Sequence, residues 1–350
     1  MKRQRIRDLG YKPGDLEPGK HNAITDIEGV GVGHVTVIEG DDIRTGVTAI
    51  TPHAGNLFEN RVPAAVDILN GYGKTVGLSQ VLYEGRLETP IMLTETLNTY
   101  RVADSLIDYY DDIMGYRPRS LNAVVGETNG GYLTDNFNRA VTKEHVYEAI
   151  ESARKCKGPV NEGAVGAGTP MTGYGFKSGI GTSSRKTGKA TVGVLVQLNC
   201  GRKDDLMVLG APVGKKVTLP VVPEKSPGNS IMMIVATDLA IETRQLWKLA
   251  KRTTLGLART GTYSSNGSGD FSICFSTGKL SMEDCIGTAE TPKDDGFLSP
   301  LYQGVVEATE EAVLNALFMA ETMTGYKGHT RHVLPLDQTL SVLEEHHTGK

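Results

Sequence analysis

Apolar positions along the chain change period from segment to segment, and the changes predict the elements. After a polar entry, "HNAITDIEGVGVGHVTVIEG" alternates with period two and predicts a strand with a turn at Glu28–Gly29, and "TGVTAITP" predicts its partner. "AAVDILNGYG" fits either a short helix or a buried strand, and "TPIMLTETLN" predicts a strand. In "TYRVADSLIDYYDDIMG", Val102, Leu106 and Tyr109/Tyr110 recur at helical spacing. "LNAVVGETNGGYL" predicts a strand opening into a glycine loop, and "KEHVYEAIESARK" an amphipathic helix.

The second half is written in the same way. Strands are predicted at Thr191–Asn199, in "NSIMMIVATD" and in "DFSICFSTG". "LAIETRQLWKLAKRTTLGLARTG" predicts one helix with Leu246, Leu249, Ala250 and Leu257 facing inward. "SPLYQGVVEATEEAVLNALFMAETMTG" predicts a long helix capped by Ser299, with Pro300 at its first position and Gly325 as its stop. Strands and helices alternate irregularly and several strands are joined by turns. That pattern predicts an α+β fold of helices covering paired sheets, in preference to a doubly wound parallel sheet. No linker interrupts residues 1–350, so a single domain is expected.

Composition narrows the function. The chain has 37 basic and 41 acidic residues and no block of like charges, so neither nucleic acid nor an anionic membrane is an expected partner. "DLGYKPGD" stands where a signal peptide would need its apolar segment, and no apolar run approaches the ~20 residues of a membrane-spanning helix. A cytoplasmic protein is expected. Cys156, Cys200, Cys274 and Cys285 are far apart, with no CxxC, and the eight histidines form no HxH or HExxH. No metal or organic cofactor is expected.

Glycine is in excess: 42 residues, where average usage gives roughly 25. "GVGVGH" follows a strand but opens no helix, and no GK[ST] is present, which argues against nucleotide binding. The amides of "GYGFKSGIGTSS" could line an anion or oxyanion site or simply form turns.

"SSNGSGD" is the sharper motif. Asn266-Gly267 suits a type I′ hairpin turn, yet a helix precedes it, so one arm of the hairpin is missing. In a strained turn the hydroxyl of Ser268 could attack the preceding carbonyl, forming an ester that water then cleaves. The new chain would begin at Ser268 with an α-amine of pKa about 7.7–8.0, able to act as base for its own hydroxyl.

Ordered blocks run nearly the full length of the chain: "RIRDLGYKPG", "VVGETNGGYL", "GAVGAGTPMTGYGFKSGIGTSSR", "VGVLVQLNCG", "LGLARTGTYSSNGSGDFSICFST" and "VVEATEEAVLNALFMAETMTG" among them. In these the sequence resembles the DmpA family of self-processing aminopeptidases (L-aminopeptidase/D-esterase and β-peptidyl aminopeptidase, peptidase family S58). The resemblance implies a four-layer αββα sandwich, like that of ornithine acetyltransferase-like proteins. It implies cleavage between Gly267 and Ser268 into an alpha chain of residues 1–267 and a beta chain of 268–350. It further implies release of N-terminal residues from short peptides, amides or esters, and assembly into homo-oligomers, tetramers or larger.

By the same resemblance Thr309 and Glu311 match a hydroxyl and a carboxylate that assist the nucleophile, with Thr where the family often shows Ser. A helical wheel centres Thr309 on the apolar face of Val305, Ala312, Val313 and Ala316 and turns Glu311 about 200° away, leaving Glu310 as a substitute. Tyr174 and Asn199 are candidate oxyanion donors, with Asn229 and Tyr132 as alternates. Two other readings stay open: an ornithine acetyltransferase-like acyltransferase, against which the serine at the cut argues, and a binding homologue without activity.

Overall fold

In the computed structural model, which describes residues 2–188, 190–220, 229–279 and 295–348, the period-two runs are strands. In chain order these are β1 (Gly31–Glu39), β2 (Ile43–Thr51), β3 (Val62–Gly71), β4 (Arg86–Leu87), β5 (Ile91–Glu95) and β6 (Val124–Thr128). There follow β7 (Thr172–Gly173), β8 (Phe176–Lys177), β9 (Ile180–Lys186), β10 (Thr191–Asn199), β11 (Asn229–Thr237) and β12 (Ser268–Ser276). The helices are α1 (Leu78–Glu84), α2 (Thr99–Asp112), α3 (Lys143–Lys155), α4 (Val213–Lys216), α5 (Thr243–Ala250), α6 (Thr253–Arg259), α7 (Ser299–Phe318) and α8 (Leu336–Thr348).

Two sheets stack face to face, one ordered β1-β2-β5-β6 and the other β4-β3-β12-β11-β10-β9. Neighbours are antiparallel except β5–β6 and β11–β12. Alternation along each strand sorts side chains into three cores. Leu195, Met232, Ile234, Phe271, Ile273 and Phe275 meet Ile50, Leu93 and Val124 between the sheets. The other face of the larger sheet (Val194, Val196, Ile231, Met233, Cys274) packs on Leu246, Leu249, Leu257 and Val313 of the helices. The outer face of the smaller sheet packs on Val102, Leu106, Val146 and Ile150 of α2 and α3. The result is the four-layer αββα sandwich expected from the resemblance. Each fully buried Leu, Val or Phe contributes ~1.5–3 kcal/mol. No described helix is long and apolar enough to cross a membrane.

The "GVGVGH" glycines have a packing role. A Cβ on Gly31 would lie 1.8 Å from the carbonyl oxygen of Ala153, and one on Gly33 would lie 2.2 Å from that of Ala149. Strand β1 is therefore pressed directly on the backbone of α3.

Two expectations need correction. The helix read across residues 239–261 is broken at Lys251 and Arg252 into α5 and α6, although its four inward residues are all buried. The Thr253 hydroxyl is shared between the Ala250 carbonyl oxygen, 2.8 Å away, and Ser272 Oγ, 2.6 Å away, and this local bond competes with the helical ladder. The long helix α7 has Leu298 at its N-cap position, with no side-chain capping bond, and stops at Phe318, well short of Gly325; beyond it Met323–Thr324 pairs with Thr330–Arg331. Cys156, Cys200 and Cys274 are free thiols, and Cys285 lies outside the described residues.

Candidate active site

Between α6 and β12 the chain makes one tight turn, in which the Ser268 amide donates to the Ser265 carbonyl oxygen at 3.1 Å. Backbone φ is +90° at Gly267 and is not positive at Asn266, so this is no type I′ turn. The strand that follows runs parallel to β11, which explains the missing hairpin arm. The type I′ geometry lies elsewhere: Tyr174 (φ +52°) and Gly175 (φ +73°) join β7 to β8.

Ser268 opens β12, buried, on the face turned toward the helices. It lines a narrow pocket with Cys200, Gly201, Thr262, Ser264 and Ser265, among others. Its Oγ donates to Asp270 Oδ1 at 2.6 Å. The second oxygen of Asp270 accepts from Asn70 Nδ2 at 3.0 Å, and the same amide group donates to the Ser264 carbonyl oxygen at 2.8 Å. Asn70 is the cross-strand partner of Asp270, beside a bulge in β3. Burial raises the Asp270 pKa, while bonds from Ser268, Asn70 and Ser264 act to lower it. The sequence signal for Asp270 was the i, i+2 spacing in "SGD", which places both side chains on one face of a strand.

A pair of buried carboxylates stands on the other side of the β12 entrance. The loop after β3 touches both places: Tyr72 N–H donates to the Ser268 carbonyl oxygen at 3.3 Å, and Lys74 N–H donates to Glu127 Oε1 at 2.8 Å. Between them Gly73 lies against Phe271 and Glu127. Glu95 ends the neighbouring strand, its oxygens accepting from Leu97 N–H at 3.1 Å and Asn98 Nδ2 at 3.0 Å. Burial pushes its pKa up to about 8, with the charge of Glu127 adding to the rise. "TETLN" and "GETNGG" carry these residues, but nothing local in either run distinguishes them from strand ends.

The other candidates fall at varying distance from Ser268. Tyr174 is buried behind the pocket wall, with Gly201 against its ring and its hydroxyl 2.6 Å from Thr260 Oγ1. Burial raises its pKa. Asn199, expected beside Ser268, is on another face of the sheet. It pairs with Ser230, which pairs in turn with Gly269, so it shares the face opposite to Ser268. Its amide is also committed, accepting from Thr172 N–H and donating to the Asn129 carbonyl oxygen, each at 2.9 Å. Asn229 stands in register with Ser268 on the adjacent strand. Tyr132 is stacked on His329 and lies under Arg331.

Helix α7 is buried on nearly every side from Glu307 to Phe318, so burial alone does not single out Thr309. The Thr309 hydroxyl donates to the Val305 carbonyl oxygen at 2.7 Å, and its Cβ faces Gly256 of α6. Glu310 is held by Arg259 Nη1 at 3.1 Å across the same contact. Glu311 points the other way: it accepts from Arg7 Nε at 2.9 Å, Arg185 Nη2 at 2.6 Å and Asn22 Nδ2 at 2.5 Å. Neither Thr309 nor Glu311 hydrogen-bonds to Ser268.

The chain is similar to known proteins along nearly its whole length. Residues 22–331 match Peptidase family S58. The chain is 37% identical to the beta-peptidyl aminopeptidase BapA of Sphingosinicella xenopeptidilytica, over 97% of this chain and 91% of that one. It superposes on a Burkholderia sp. beta-aminopeptidase with a TM-score of 0.86 at 38% identity, covering 98% of this chain and 99% of the other. A further match is the L-aminopeptidase D-Ala-esterase/amidase of Ochrobactrum anthropi, described as a prototype for the serine aminopeptidases and a variant of the Ntn hydrolase fold. There the TM-score is 0.87 at 34% identity, again covering 98% and 99%.

Proposed function

The chain belongs to peptidase family S58 and is a hydrolase, a self-processing serine aminopeptidase; from that premise we propose which residues do the work. Ser268 is the nucleophile. The observation that carries this is its place at the mouth of a central strand, lining a pocket with its hydroxyl already bonded to a carboxylate. Cleavage at Gly267–Ser268 divides the chain into residues 1–267 and 268–350 and frees an α-amine. That amine takes the proton of its own hydroxyl, and the oxygen attacks the substrate carbonyl.

Tyr174 would act as one oxyanion donor by turning its O–H from Thr260, to which it now donates, toward the substrate, and Asn229, whose backbone stands in register with Ser268, takes the place first given to Asn199. Glu127 receives the substrate's ammonium group, which favours cleavage at a free N-terminus. The substrates are short peptides, amides or esters, and the β-aminopeptidase relatives support acceptance of N-terminal β-residues. Thr309 supports α6, whose C-terminal end leads into the pocket-lining residues 262–265. Glu311 joins the two fragments. Exposed Ile68, Leu69 and Tyr72 support a homo-oligomer, and free buried thiols support a reducing, cytoplasmic setting. The aminopeptidase matches do not favour the acetyl-transfer alternative.

Mass measurement on the denatured, active protein tests this. Two masses meeting between residues 267 and 268 are expected, with Ser268→Ala giving one uncut, inactive chain. An active preparation of single intact mass, or hydrolysis by Ser268→Ala, would overturn it.

A further inference from the structure

Granting Ser268 as the nucleophile, the first reaction of the chain still lacks a base. Before the cut the Ser268 nitrogen is an amide, whose lone pair is delocalised into the carbonyl, so the residue cannot yet deprotonate itself. The uncut chain nonetheless holds the hydroxyl against an acceptor, Asp270 Oδ1, at 2.6 Å, the separation typical of a hydroxyl bonded to a carboxylate. Asn70 Nδ2, 3.0 Å from Oδ2, fixes the far side of that carboxylate. Asn70 is itself anchored on the Ser264 carbonyl oxygen, in the segment that leads into the scissile turn.

We propose that Asp270 is the general base of the self-cleavage step, a role distinct from that of the α-amine in turnover. The carboxylate takes the Ser268 hydroxyl proton as Oγ attacks the carbonyl carbon of Gly267 through a five-membered ring. The protonated Asp270 then gives that proton to the departing nitrogen as the C–N bond breaks. The chain now holds an ester between Gly267 and Ser268 Oγ and a free α-amine. Water hydrolyses the ester, leaving the Gly267 carboxylate and the Ser268 hydroxyl. No oxidant, reductant or co-reactant beyond water is consumed.

Among the described residues, other titratable or charged groups stand near this carboxyl. Cys200 is held neutral, its thiol pKa raised first by burial and then by Asp270. Arg202 and Asp205, paired with each other at 3.2 Å, and Tyr263 line the pocket. Asp270 is the group among them that touches the reacting hydroxyl.

Cell-free synthesis of the full chain, sampled from the first minutes at pH values from about 4.5 to 9, tests the assignment by denaturing electrophoresis and intact mass. For the unaltered chain the cleavage rate should rise with pH along one deprotonation. Asp270→Asn, shown to be folded by circular dichroism, should cleave at least about 100-fold more slowly at pH 7 and lose that pH dependence. Asn70→Ala removes a donor to the charged carboxylate and should move the profile to higher pH. Folded Asp270→Asn cleaving within about threefold of the unaltered rate would overturn the proposal. If Asp270→Asn does not fold, an Asn70→Ala profile that is unshifted overturns it. Ser268→Ala separates the two claims: cleavage by this variant would sink the nucleophile itself, whereas uncut Ser268→Ala beside normally cut Asp270→Asn would sink only the base.

Discussion

Arg185 Nη2 donates to Glu311 Oε2 at 2.6 Å, and neither side chain is exposed to solvent. Arg185 also reaches Glu307 at 3.2 Å, while Arg7 grips Glu311 from the N-terminal segment. All of these bonds join residues before the proposed cut to the helix that follows it, so the cluster connects the two fragments rather than serving the serine directly. Removing one partner of a buried pair leaves an uncompensated charge. Arg185→Met should lower stability by about 3–5 kcal/mol, measured by urea unfolding. Native mass spectrometry should show its cleaved fragments separating more readily.

Lys177 is buried with no carboxylate partner among the described residues, its ammonium donating to the carbonyl oxygens of Gly168, Met171 and Ser178. Burial lowers its pKa to about 7 from the ordinary value near 10.5. Between those values the unfolded chain binds the extra proton, so this group makes stability rise with pH from about 7 toward 10.5. Lys177→Met should flatten that rise in urea titrations at pH 7, 8.5 and 10. An unchanged slope would show that Lys177 is not the group responsible.

Glu95 has the opposite sign. Its pKa is about 8 when folded and near the ordinary 4.5 when unfolded, so the folded chain holds the extra proton between these values. The contribution is complete below about 4.5 and is lost as pH rises through 8. Glu95→Gln should remove this fall, as read from thermal midpoints between pH 5 and 9.

If Glu127 receives the substrate ammonium, Glu127→Gln should raise KM for substrates with a free N-terminus by roughly 10- to 100-fold, the range of a hydrogen bond to a charged group. Self-cleavage should continue at its usual rate. Equal KM values for variant and unaltered enzyme would remove Glu127 from the site.

Gly256 lets α6 lie on α7. A Cβ there would sit 2.4 Å from the Val306 carbonyl oxygen and 2.7 Å from Thr309 Cβ. Gly256→Ala should cost about 1–3 kcal/mol by overpacking and lower kcat by displacing the pocket-lining residues 262–265. Calorimetry and steady-state kinetics on the purified variant would check both.

Elements carried by a local rule were legible. The period of two gave β10 from Thr191 to Asn199, and amphipathic spacing gave α3 from Lys143 to Lys155. The break at Lys251–Arg252 was not, because it depends on Thr253 finding Ser272 from another element. Nor could a helical wheel place Thr309, since α7 is enclosed on almost all sides and the wheel assumes one wet face.

The sequence by itself determined the bond at issue, a Gly-Ser pair leading into a strand, and the resemblance carried by its ordered blocks marked Ser268 as the proposed nucleophile. The strand and helix periods, being local, also determined an α+β fold of helices covering paired sheets, while the four-layer αββα order came from the resemblance. Only the tertiary structure decided which carboxylate stands at the hydroxyl. Asp270, Glu127, Glu310 and Glu311 are chemically alike in one dimension, and they are told apart by strand register, by which face is buried and by which arginine arrives from a distant segment.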